Sequence, residues 1–72
     1  MDIKDVNKAY KIYSDLFDVT CIAAFKALAS YQNMHDSVSI FKAFNDSQKA
    51  LKTWIACNIA YAIYEKLDKS LR

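Results

Sequence analysis

Neither glycine nor proline occurs anywhere in this 72-residue chain. Tight turns that need a positive φ therefore lack the residue that adopts one without strain, and no proline interrupts a helix. Two-residue β-hairpins, which favour Asn-Gly or Asp-Gly, become unfavourable for the same reason. Ala, Lys and Ile are abundant instead. An all-α fold in a single domain spanning 1–72 is the expectation.

The apolar load is high for that length. Hydrophobic residues make up 54% of the chain, with one Trp, five Tyr and four Phe. A domain this small buries only about 60% of the surface its unfolded chain exposes. The surplus predicts self-association or a bound protein partner, with a homodimer preferred over a monomer. Residues 53–64, TWIACNIAYAIY, carry no formal charge. A helix that is apolar all round belongs in the middle of other elements.

Periodicity divides the chain into four expected helices packed as a compact bundle around a long, apolar C-terminal one. Ile3, Val6, Tyr10, Tyr13 and Phe17 alternate in spacings of three and four and give residues 2–17 a seam. Asp18 or Thr20 is a candidate cap for a second helix to about residue 31, although 3–31 also reads as one long helix. In that segment Cys21, Phe25, Leu28 and Ala29 share a face, while Ala23, Ala27 and Ser30 form a small-residue stripe that admits a close neighbour. Residues 32–35 read as a connector, with Asn33 standing in for the usual glycine. A short third helix, 37–44, buries Val38, Phe41 and Phe44. Residues 45–47, three good caps in a row, separate it from a fourth helix running to about 70. There Leu51, Ile55, Ile59 and Ile63 face the core, and Lys66, Lys69 and Arg72 suit the carbonyl end.

Most catalytic chemistry finds no support. Phosphate-binding loops need glycine. His35 stands beside Asp36, but no nucleophile is near in sequence, and a connector histidine is the simpler reading. Cys21, His35 and Cys57 lack the paired short spacing of zinc sites, so no metal is expected, and both cysteines read as reduced, small apolar residues. No cofactor and no small-molecule substrate is implied. Met1 is followed by DIKD rather than by a basic and then an apolar segment, and the longest uncharged run is too short to span a bilayer. The expectation is a soluble, cytoplasmic chain with no membrane role.

What remains is recognition. Trp54, Tyr61, Tyr64, Tyr10 and Tyr13 supply large contact area with few rotatable bonds, as interface residues do. Lys66 and Lys69 extend that patch with positive charge. Asn58, within the uncharged run, is either a buried register-setting amide or an exposed edge residue. Nine Lys to one Arg, with many Ile, Asn and Tyr, fits an AT-rich genome such as many phages have. The expected function is a non-enzymatic protein–protein interaction module, concretely a phage or mobile-element inhibitor or regulator that docks on a host protein. The alternative is a nucleic-acid-associated transcriptional regulator whose third and fourth helices form a helix-turn-helix-like pair, with Lys49 and Lys52 near phosphates. The modest charge of +2 weighs against it.

Overall fold

The computed structural model describes residues 2–71. They form two helices, α1 (Ile3–Gln32) and α2 (Ser37–Ser70), joined by residues 33–36. The helices lie antiparallel along their whole length. Tyr10 meets Tyr64 towards the open end, and Ser30 meets Asp46 towards the connector. The Cα trace measures 53 by 13 by 12 Å, and its radius of gyration is 16.2 Å. A compact domain of this length would have a radius near 11 Å. The molecule is a rod-shaped helical hairpin.

The expected four-helix bundle is therefore overturned, and so is its short third helix. The reason lies in the polar clusters that read as breaks. Asp15 accepts an ion pair from Lys11 at 3.0 Å, one turn back. Thr20 donates its hydroxyl to the Leu16 carbonyl at 2.7 Å instead of capping a new helix. Asp46 turns inward, accepting from Ser30 across the pair at 2.5 Å. Such residues cost a helix interior only a few tenths of a kcal/mol each, and no glycine or proline enforces a stop. Residues 3–31 are accordingly one helix, and 45–47 lie inside α2.

The true ends are capped. Asp2 accepts from the backbone N–H groups of Lys4 and Asp5, and the Asp5 carboxylate accepts from the Asp2 N–H at 3.2 Å. Asp36 accepts from the Ser39 N–H at 2.8 Å, and the Ser39 hydroxyl oxygen accepts from the N–H groups of His35 and Asp36. Asn33 closes α1, but at φ −103° and not in the left-handed conformation its role as a glycine substitute implied. Its side-chain amide donates to the Ala29 carbonyl at 2.8 Å instead. Arg72, expected in the last turn, lies outside the described residues.

The contact between the helices is made mostly of small side chains, with Tyr13, Leu16, Tyr64 and Leu67 joining it towards the open end. In α1, Val6, Ala9, Tyr13, Leu16, Thr20, Ala23, Ala27 and Ser30 are buried or half-buried. In α2 the same holds for Ser39, Ala43, Asp46, Ala50, Thr53, Cys57, Ala60, Tyr64 and Leu67. Both sets alternate in spacings of three and four, the heptad of a coiled-coil seam. Alanine and serine at those positions let the two backbones come close.

This seam displaces the expected one. Val6 is buried and Tyr13 half-buried, but Ile3, Tyr10 and Phe17 are exposed. Val38, Phe41 and Phe44, expected to be the buried side of a third helix, all face outward. Leu51, Ile55, Ile59 and Ile63 do not face a core either; each is about half exposed. Two helices can bury only one stripe apiece, and the stripe that permits the closest approach is the small one.

Candidate interaction surfaces

Because the seam occupies one stripe of each helix, the hairpin has two long flanks. The first is aromatic. Tyr10, Tyr13, Tyr61 and Tyr64 converge across the pair, with ring centroids 5.3 Å apart for Tyr10–Tyr64 and 5.1 Å for Tyr13–Tyr61. Phe17 extends the row from Tyr13 at 6.2 Å. Trp54, 55% exposed, borders a shallow groove of about 200 Å³ with Tyr13, Phe17, Asn58 and Tyr61. The Tyr10–Tyr64 pair is edge-on, an arrangement that adds about 0.5–1.5 kcal/mol beyond its burial.

Five of the seven residues singled out in the sequence thus meet on one flank: Tyr10, Tyr13, Trp54, Tyr61 and Tyr64. The two lysines do not complete the patch as imagined. Lys69 is engaged by Glu65 at 2.8 Å, which raises its pKa and lowers that of Glu65. The Glu65 charge, together with the hydrogen bond that the Tyr61 hydroxyl donates to it, raises the tyrosine's pKa. Lys66 is exposed, and helical register turns it towards the other flank. Asn58 is exposed on the aromatic flank and takes no part in the seam between the two helices. Register is set elsewhere. Ser30 and Asp46 bond within the seam, and the Lys42 ammonium donates to both, at 3.1 Å and 3.3 Å. The Ser30 hydroxyl, then Lys42, holds the Asp46 carboxyl below its ordinary pKa.

The second flank carries the lysines. Val19, Ile22 and Ala23 floor a groove of about 420 Å³ edged by Lys26, Lys49 and Lys52. Towards the connector it continues past Ser30, Asn33, His35 and Lys42, and towards the open end past Ile12 and Ile63. Sequence reasoning noted Lys49 and Lys52 but missed Lys26. Residues on different helices join only once the seam is known.

The remaining candidates are dispersed. His35 is exposed in the connector, its Nδ1 donating to the Asn33 carbonyl at 2.8 Å while Nε2 stands 3.6 Å from Asp36. Cys21 is an exposed free thiol, and Cys57 is a free thiol buried in the seam. Among the described residues no group of His, Cys, Asp or Glu converges in the way a metal ion requires. No helix among them is long and apolar enough to cross a membrane.

No protein-family model, no curated protein and no solved structure matches the chain. The functional reading therefore rests on the surfaces alone. Large apolar side chains crowd the outside of the rod: Ile22 is 68% exposed, Phe25 74% and Phe41 68%.

Proposed function

We propose that this chain is a small non-enzymatic protein–protein interaction module, a rod that offers apolar helical faces to other chains. One observation carries the reading: small side chains make most of the seam between the helices, and most of the large apolar ones lie outside. Covering a large apolar side chain contributes about 1.5–3 kcal/mol, and the hairpin leaves most of its own uncovered. Isolated monomers rarely present so much contiguous apolar surface.

The lysine-edged groove suits a partner helix whose apolar stripe is bordered by Asp or Glu. Val19 and Ile22 meet the stripe, and Lys26, Lys49 and Lys52 meet its acidic edges. Composition supports the concrete form, a phage or mobile-element inhibitor or regulator docking on a host protein. The test is capture by the immobilised chain, with Ile22→Asp and Lys49→Glu variants as comparison. The expected result is a specific host protein retained by the wild type and lost from both variants. Equal recovery from all three would refute the groove.

The nucleic-acid alternative loses its helix-turn-helix, because residues 37–70 form one uninterrupted helix. The lysine row still gives phosphates a place to bind. A gel shift at low salt that disappears in a Lys26, Lys49 and Lys52 triple Glu variant would replace the protein partner with nucleic acid.

A further inference from the structure

The two flanks differ in charge, and that difference decides what covers the aromatic one. Its outward positions on α1 run from Asn7 through Tyr10, Ser14, Phe17, Cys21, Ala24 and Leu28 to Tyr31. On α2 they run from Ile40 through Phe44, Ser47, Leu51, Trp54 and Asn58 to Tyr61. None of these residues is charged. Charge returns only at the open end, with Glu65 and Asp68. The opposite flank carries Lys8, Lys26, Lys42, Lys49, Lys52 and Lys66 against Asp5 and Asp15, and stays net positive. Two copies pressed together along the lysine row would repel one another, whereas two copies along the aromatic flank meet no like charges over most of its length.

The exposed area is also what a second copy would cover. The chain exposes 5687 Å². A compact monomer of 8.3 kDa would expose about 4,600 Å², so the rod shows roughly 1,100 Å² in excess. A standard interface removes about 800 Å² per partner.

We propose that a second copy of this chain covers the aromatic flank, with the two hairpins antiparallel in a four-helix bundle. The proposal rests on the docking reading above and gives one of its two faces an occupant. The arrangement follows from symmetry and charge. A two-fold axis in the interface permits either adjacent connectors or connectors at opposite ends. Adjacent connectors would also bring Glu65, with its Lys69 partner, and Asp68 of both copies to the same end of the bundle. The antiparallel arrangement places these carboxylates roughly 35–45 Å from their own copies along a rod of 53 Å. Phe17 and Trp54, midway along the hairpin, then meet their own copies at the axis. The lysine-edged groove stays free on the outside of each hairpin.

Sedimentation equilibrium from low to high micromolar concentration tests the stoichiometry. The expected mass is twice 8.3 kDa for the wild type and for Ile22→Lys, and 8.3 kDa for Trp54→Lys and, independently, Leu51→Lys. A wild type at 8.3 kDa throughout, with full helicity, overturns the dimer. A dimer that survives both flank variants but dissociates in Ile22→Lys overturns the choice of flank. Should either lysine variant fail to fold, Phe17→Tyr and Leu51→Ala weaken the same contact mildly, and a dimer constant unmoved by both counts against the flank.

Orientation is read from nitroxide labels on Met34→Cys in a Cys21→Ser, Cys57→Ser background whose helicity has been verified. Label separations near 50 Å are expected, and separations under about 20 Å would overturn the antiparallel arrangement. The docking reading fails separately, by loss of capture in a chain that still dimerises.

Discussion

Ala43 and Phe44 are neighbours in the chain, yet one is 4% exposed and the other 58%. The pair summarises the contrast between the seam and the flanks. In the seam, side-chain volume is the enemy, because each added methylene pushes two backbones apart. On the flanks, volume is free within the single chain and acquires value only when another chain covers it. Hydrophobicity alone does not separate the two regions; over the connector-side half of the rod, from Thr20 to Ala60, the size of the side chain does.

The contrast is open to attack from both sides. The largest effect is expected in the seam. Ala43→Leu or Ala60→Leu should destabilise the hairpin by about 1–3 kcal/mol or more, read as a fall in Tm by circular dichroism. On the outermost face, Ile55→Ala should stay within about 0.5 kcal/mol. Equal effects at the two sites would erase the distinction.

Next comes the polar lock. Ser30→Ala removes the hydroxyl that Asp46 accepts from within the seam, and should cost about 1 kcal/mol, or several degrees in Tm. The same lock has a pH signature. Its carboxyl has a lowered pKa in the folded state, so its contribution is present above the unfolded Asp value near 3.9. It is lost as pH falls through the lower, folded value. Acid titration of Tm should therefore drop below about pH 4 in the wild type. The drop should be shallower in Asp46→Asn, and identical profiles would remove the lock.

The smallest effect belongs to similar chemistry on the outside. Lys69→Ala breaks the Glu65 pair at 2.8 Å, in which the lysine is exposed and the carboxylate half-exposed. No measurable change in Tm is expected at 0.5 M salt, where screening leaves such pairs little strength.

Much of this architecture was legible beforehand, but unevenly. The absence of glycine and proline was enough to expect helices, and Gln32 to His35 stood out as a connector because Asn33 can end a helix where glycine is missing. The aromatic grouping was visible as well, since Tyr10 and Tyr13 share a stripe on one helix and Tyr61 and Tyr64 on another.

The number of helices was not legible, for a physical reason. Asp15, Thr20 and Asp46 cap helices as readily as they sit inside them, and only their partners decide between the two. Lys11 and the Leu16 carbonyl are local, but Ser30 is sixteen positions from Asp46 and invisible to any local pattern. The seam was hidden because large apolar residues recur on the flanks with the same spacing as the small ones in the contact. Ile3, Tyr10 and Phe17 alternate as well as Ala9, Leu16 and Ala23 do. The Ala23, Ala27 and Ser30 stripe was noticed, and its continuation through Thr20, Leu16, Tyr13, Ala9 and Val6 was the decisive signal.

The central claim is that the aromatic flank is covered by another copy of the chain. Trp54, the only tryptophan, lies at the middle of that flank and reports on it directly. Iodide quenching of its fluorescence should be measured from nanomolar to high micromolar protein. The account predicts strong quenching at the dilute end and steep protection as concentration rises. Strong quenching at every concentration would contradict it.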